Sequence, residues 1–261
     1  MEVLSQVRGK CVVTGGSGFL GEAIVQAMVS EGFAVISLDM VEPEYNLNGA
    51  EFFKCDITDK SSVLNVLDRC MSNNEPLEIL VNNAAIDAKI RMINGILTGF
   101  ADFDLSSLLK EFEVAIKGSL ICTQLCVPHF SRTGLQNKSV IFIGSDLSVI
   151  APDQRIYLAP NGERKFHKPI SYSIIKHATL GAVKYLAVEL APIHVRVNAI
   201  SPGPIKHDQP EFVVKNLEER IPFGRLGLRK DTVGAVKFLA SSDSAYITGQ
   251  NIQVDGGRTV W

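Results

Sequence analysis

The sequence predicts an α/β protein built on a doubly wound parallel sheet. Short, nearly unbroken apolar runs alternate with longer stretches of helical spacing. A glycine-rich turn stands between the first run and the first helical stretch. The length, 261 residues, suits one such domain, and no stretch has the composition of a linker, so residues 1–261 are expected to form a single domain.

The runs expected as strands are Lys10–Thr14, Ala34–Leu38, Phe52–Cys55, Ile79–Val81, Val140–Ile143, Val195–Ala199 and Ile252–Val254. Continuous apolar character marks strands buried on both faces, as in a parallel sheet between helix layers. Helical spacing covers Leu20–Ser30, Ser61–Met71, Leu105–His129, Tyr172–Leu190 and Thr232–Ala240. The rhythm breaks in an irregular segment at about 146–170, whose core Ala151–Ile170 holds three prolines, one glycine and no clear period. A loop of that length is uncommon in a compact domain unless it serves a function. Ser201-Pro202-Gly203-Pro204 opens a second irregular stretch, because Pro and Gly end the strand before it.

Composition excludes several classes. Hydrophobic residues make up 46% and charged residues 21%, which is globular rather than disordered or fibrous. A net charge of -2 carries no basic footprint, so neither nucleic acid nor a membrane surface is an expected partner. The five cysteines include no C-x-x-C pair, which fits reduced thiols and a cytoplasmic location. Cys122 and Cys126 share a helix face, but no His or carboxylate pair completes a tetrahedral set. Core packing and no metal are therefore expected. No apolar run is long enough to span a membrane, and the residues from Met1 do not resemble a signal peptide.

The first turn reads Gly15-Gly16-Ser17-Gly18-Phe19-Leu20-Gly21 between a strand and a helix. This is the context of a dinucleotide fingerprint in a Rossmann-type sheet. Gly15 permits the tight turn, Gly18 lets backbone approach a pyrophosphate, and Gly21 lets helix and strand pack closely. Ser17, Gly18, Phe19 and Leu20 would then present free N–H groups and the helix dipole to the phosphates. Asp39 ends the second strand, where a carboxylate takes both ribose hydroxyls and repels a 2′-phosphate. No Arg or Lys follows it at once, so NAD(H) is expected over NADP(H). Asp56-Ile57 ends the third strand; Asp56 reads either as an adenine contact or as a turn residue.

Tyr172 and Lys176 lie one helical turn apart. An ammonium beside a phenol favours the phenolate, and such a tyrosine can exchange a proton with an alcohol or ketone near neutral pH. The same lysine can reach ribose hydroxyls. Ser145 closes the fifth strand, where an open α/β sheet places its ligands, and its hydroxyl could donate to a substrate oxygen.

Taken together, Thr14–Gly21, Asp39, Asp56-Ile57, Asn82-Asn83-Ala84-Ala85, Gly144-Ser145, Tyr172/Lys176, Asn198–Gly203 and Asp255-Gly256-Gly257 resemble the short-chain dehydrogenase/reductase family, in its compact single-domain branch. The resemblance spans nearly the whole chain. It implies that Ser145 polarises the substrate oxygen, that Tyr172 is the general acid/base, and that Lys176 binds ribose and tunes Tyr172. It also implies that Asn83, Pro202, Gly203 and Ile205 border the nicotinamide half. An oxidoreductase acting on a secondary alcohol or ketone follows, assembled as a homotetramer or homodimer through Leu105–His129 and Tyr172–Leu190.

Three departures qualify that expectation. The Gly-x-x-Gly-x-x-Gly spacing is that of the larger sugar-nucleotide branch. Ala115 stands where the family carries a fourth-helix Asn. Ser145 and Tyr172 lie 27 positions apart, about twice the usual gap. The extra residues form the irregular loop, whose Arg155, Arg164, Lys165 and Lys168 outnumber Asp153 and Glu163. Arg155 and Arg164 are therefore candidate contacts for an anionic small-molecule substrate. The string from Ser145 to Tyr157 also resembles a subgroup from flagellin-modification and nonulosonate sugar pathways. Two other functions fit these features: a sugar epimerase or dehydratase that retains its NAD, and a catalytically silent NAD-binding interaction protein. His207 stands where many relatives carry a cofactor-contacting Thr; contact and solvent exposure both remain open for it.

Overall fold

The structure, a computed structural model, describes residues 8–71, 76–86, 92–93, 96–97, 100, 103–130, 137–164 and 166–261. The first half runs β1 (Arg8–Thr14), α1 (Phe19–Ser30), β2 (Phe33–Asp39), β3 (Glu51–Lys54), α2 (Lys60–Cys70) and β4 (Leu77–Asn82). A short antiparallel pair follows, β5 (Met92–Ile93) and β6 (Ile96–Leu97), then α3 (Leu105–Phe112) and α4 (Ser119–Cys126). The second half runs β7 (Lys138–Ile143), α5 (Ile170–Glu189), β8 (Val195–Pro202), α6 (Glu211–Glu218), α7 (Arg229–Leu239) and β9 (Asn251–Val254).

Seven strands form one sheet in the order β3-β2-β1-β4-β7-β8-β9, all pairs parallel. The chain winds outward from β1 through β2 and β3, then returns to β4 and winds the other way. The switch point lies between β1 and β4, and a crevice opens there at the strands' carboxyl ends. Register makes that edge level: Thr14 pairs with Leu38 on one side and Asn82 on the other.

Alternation along β1 fills both layers. Cys11 and Val13 join a core with Ile24, Met28, Val236 and Leu239 of α1 and α7. Val12 points the other way, into a core with Val63, Leu67, Cys122 and Val183 of α2, α4 and α5. Cys122 and Cys126 are core side chains, and burial pushes both thiols well up. All five cysteines are free. No helix among the described residues is long and apolar enough to cross a membrane.

Besides the unexpected β5–β6 pair, the structure departs from the sequence expectation in three places. Leu105–His129 is not one regular helix: α3 passes into a π turn, Glu113–Gly118, before α4, and a 3-10 turn closes it at Val127–His129. The wide turn brings Gly118 against Ile57, where a Cβ would lie 2.7 Å from the isoleucine side chain. Helix α6 was not expected, since its buried stripe is only Val213 and Leu217. The segment 151–170 is not featureless either. It holds a 3-10 turn, Gln154–Tyr157, and an antiparallel bridge between Leu158 and Arg164. Ile156 anchors it in a small cluster with Val213, Leu217, Ile221 and Leu226. Asn216 of α6 donates to the Ile156 and Leu158 carbonyls at 2.9 and 3.1 Å. Tyr157 and Phe166 pack against the same cluster, but these apolar residues are irregularly spaced, so hydrophobic patterning could not reveal the anchor.

Candidate active site

The glycine turn closes on the end of β4. Gly15 has φ +67, and a Cβ there would stand 2.7 Å from the Ala84 backbone. A Cβ on Gly21 would stand 1.9 Å from the Gly15 carbonyl, so only glycine lets α1 approach the turn. Thr14 and Asn83 bolt the two strand ends together. The Asn83 and Ala84 N–H groups donate to Thr14 Oγ1 at 3.1 Å, and Asn83 Nδ2 donates to the Thr14 and Gly15 carbonyls at 3.1 and 3.0 Å. Asn83 therefore builds the crevice wall as well as bordering the cleft.

That wall belongs to an open cleft of about 1390 Å³ along the carboxyl edge. Gly18 faces it: a Cβ there would meet only the Gly15 carbonyl, at 3.4 Å, so the rest of that side is open space. The first backbone bond of α1 runs from Glu22 N–H to the Gly18 carbonyl, which leaves the N–H groups of Phe19, Leu20 and Gly21 without helical acceptors. This cradle fits a dinucleotide pyrophosphate in shape and donor chemistry. Asp39 stands at its rim, its carboxylate accepting from the Ser17 and Val41 N–H groups at 3.0 and 3.2 Å. Asp56 accepts from the N–H and hydroxyl of Thr58 at 2.9 and 2.7 Å, so it shapes its own turn while also bordering the cleft. Ile57, Pro202, Gly203 and Ile205 line the same space.

Ser145, Tyr172 and Lys176, drawn from β7's end and α5, all line the cleft. Ser145 is buried and caps a 3-10 turn, Asp146–Ser148, against which α5 packs. Its hydroxyl donates to Asp146 Oδ1 at 2.8 Å and accepts from Leu147 N–H at 3.2 Å. Lys176 is buried, with Nζ donating to the Ile143 carbonyl at 2.9 Å and lying 5.7 Å from the centre of the Tyr172 ring. The lysine thus ties α5 to the end of β7, which fixes Tyr172 relative to Ser145. Ala115 sits in the π turn, its carbonyl accepting from the Ser119 hydroxyl at 2.7 Å. Such wide turns recur at functional sites.

The loop cations do not assemble as the sequence suggested. Arg155 grips Asp153 with two hydrogen bonds, 2.8 and 3.0 Å, and Arg220 binds the same carboxylate at 2.7 Å. Those bonds, Arg155's above all, hold Asp153 far below the usual carboxylate range. Arg155 and Arg164 lie outside the cleft lining. Lys168 lines it instead. Burial, and then Arg164, hold His167 below the ordinary imidazole range. Lys165 falls outside the described residues.

Sequence reasoning gave Asp146 and Arg258 no role, counted Lys168 only among the loop cations and left His207 open, yet all four line the cleft. Asp146 pairs with Arg258 in a buried ion pair beside Ser145, joining positions 112 apart. Lys168 had a signal: it precedes Tyr172 by the four positions by which Lys176 follows it. His207 stacks on Phe19, ring centres 4.1 Å apart, and both border the cleft. His177 turns back to the Ser173 carbonyl of its own helix. Among the described residues no group of His, Cys, Asp or Glu is arranged to hold a metal.

A donor-lined cradle at the switch point, an acidic strand end beside it and a phenol–ammonium pair beyond it are the features of nucleotide-dependent α/β oxidoreductases. Residues 17–259 match the family model described as enoyl-(acyl carrier protein) reductase. A 3-oxoacyl-[acyl-carrier-protein] reductase, FabG, of Thermotoga maritima is 28% identical over 98% of this chain and 100% of its own. An NAD-dependent glycerol dehydrogenase of Listeria innocua is 27% identical over 95% of this chain and 93% of its own. A short-chain dehydrogenase from Leptospira borgpetersenii, solved with bound NAD+, superposes with a TM-score of 0.84 at 31% identity, over 97% of this chain and 93% of its own. The chain belongs to this family of short-chain dehydrogenase/reductases and is an oxidoreductase by that membership.

Proposed function

We propose that the protein transfers a hydride between NAD(H) and a secondary alcohol or ketone of a small molecule. One observation carries this reading: Ser145, Tyr172 and Lys176 border the same cleft as the glycine turn and Asp39. A nicotinamide dinucleotide bound there supplies or accepts the hydride. The Phe19, Leu20 and Gly21 N–H groups would hold its pyrophosphate, and Asp39 its adenosine ribose. Ser145 orients the substrate oxygen. Tyr172 Oη gives that oxygen its proton during reduction and removes it during oxidation. Lys176 holds the nicotinamide ribose and favours the phenolate.

The preference for NAD(H) rests on Asp39, whose charge opposes a 2′-phosphate at the cradle rim. The cofactor of the Leptospira relative and the name of the Listeria relative support the same choice. For an anionic substrate, the support among the described residues is Lys168 rather than Arg155 or Arg164. The likeness of 145–157 to the nonulosonate subgroup makes phosphorylated and amino sugars the first compounds to screen. A homo-oligomer is proposed through α3 and α5, which pack together and leave Leu105, Leu109, Tyr185 and Val188 exposed.

The test is a metabolite screen followed by NADH absorbance, then Tyr172→Phe on the substrate found. Turnover should fall by roughly 10²–10⁴ while NADH affinity is kept. Near-normal turnover would reject the mechanism. NADH binding with no substrate turned over would favour the silent interaction protein, and NAD retained with no net NADH formed would favour the epimerase.

A further inference from the structure

Tyr172 carries two ammonium groups, and the second comes from the inserted loop. Lys168 Nζ lies 3.6 Å from the centre of the Tyr172 ring, nearer than Lys176 Nζ at 5.7 Å. Lys168 precedes α5, which opens at Ile170 after Pro169, so its side chain reaches the ring from the loop side. Its main chain is clamped by one side chain: Gln154 Nε2 donates to the Lys168 carbonyl at 2.8 Å, and the Lys168 N–H donates to Gln154 Oε1 at 2.9 Å. Gln154 belongs to the 3-10 turn that Ile156 anchors on α6. The residues separating Ser145 from Tyr172 thus form a scaffold that ends in one ammonium over the phenol.

Other charged groups border this part of the cleft. Asp146, on the turn after β7, is paired with Arg258 from the C-terminal segment. Asp153 on the loop is paired with Arg155 and Arg220. Glu113 of the π turn lies 3.6 Å from Lys117, and Lys110 of α3 adds a further cation. Each of these carboxylates has its own cation, and Lys168 and Lys176 are the two ammonium groups that the geometry places at the Tyr172 ring.

We propose that Lys168 is a positioning residue for Tyr172: its ammonium, fixed over the ring face, holds the phenol in place and favours its anion. The attraction to the neutral ring is a cation–π contact, and it becomes a full opposite-charge attraction once the oxygen ionises. An ammonium has three donors, so this role is compatible with other hydrogen bonds made by Lys168. The inference rests on Tyr172 being the reacting phenol, yet it can be measured without substrate or cofactor.

The experiment is an ultraviolet titration of phenolate. Subtracting the curve of the matching Tyr172→Phe variant isolates Tyr172 from the other tyrosines. Lys168→Met should raise the Tyr172 midpoint by roughly one to three pH units, the range for loss of a close opposite charge. Lys168→Arg, which keeps the cation, should restore it. Gln154→Ala, which releases the clamp, should raise it by a smaller step. Lys168→Gln gives the same comparison with a polar side chain should the Met variant fold poorly. A midpoint unmoved in folded Met or Gln variants overturns the proposal and leaves the function of Tyr172 standing. Wild-type turnover in Tyr172→Phe overturns the reaction instead, whatever the titration gives.

Discussion

Asp39 illustrates how much one side chain decides. Its two oxygens accept from Ser17 and Val41, so the carboxylate is fixed at the rim of the phosphate cradle. A second negative charge from a 2′-phosphate would sit against it at close range, where like charges cost the most. Asp39→Ser should therefore narrow the ratio of NADH to NADPH affinity by about tenfold or more, measured by cofactor fluorescence. A wild type that already prefers NADPH would refute the argument. The same scale separates what spacing can show from what it cannot. Tyr172 and Lys176 were legible because helical geometry puts i and i+4 on one face. A charge count does not see partners: Asp153 claims Arg155, and neither Arg155 nor Arg164 lines the cleft.

At the scale of elements, the inserted loop works through its docking on α6. Ile156 fills a small cluster with Val213 and Leu217, and Asn216 satisfies two loop carbonyls. Ile156→Ala should destabilise the fold by roughly 2–5 kcal/mol, the usual cost of emptying a buried isoleucine site. It should also loosen Gln154 and Lys168. Denaturant unfolding checks the first effect and amide exchange across 151–170 the second. A stable variant with unchanged exchange would mean that the loop is held elsewhere. The central strands β1, β4, β7 and β8 were legible from their apolar runs, since they are buried on both faces, whereas the edge strands β3 and β9 are only partly covered. The π turn and α6 were not. The first depends on a close approach of Gly118 to Ile57, and the second is a short helix with only two buried side chains.

For the whole molecule, the exposed apolar residues of α3 and α5 bear on assembly. Leu109 is 68% exposed, Tyr185 68% and Val188 77%, on neighbouring helices. Exposed apolar side chains on adjacent helices are where the proposed homo-oligomer would bury surface. Sedimentation should give a dimer or tetramer, and Val188→Glu with Leu109→Glu should shift it toward monomer without changing the secondary structure. A monomeric wild type at micromolar concentration would end that expectation.

Legible along the chain were the doubly wound sheet, the glycine turn, the acidic end of β2 and the Ser145, Tyr172 and Lys176 candidates. Periodicity and local spacing are written along the chain, and a parallel sheet brings its strand ends to one edge whatever the loops do. Folding alone settles which loop cation stands at the phenol and which cation pairs with the Asp146 carboxylate. Arg258 and Asp146 are 112 positions apart, and Lys168 depends on a clamp from Gln154. Charge pairing follows distance in space, so the i, i+4 spacing of Lys168 and Tyr172 could suggest a contact but nothing along the chain could reveal the Asp146–Arg258 pair.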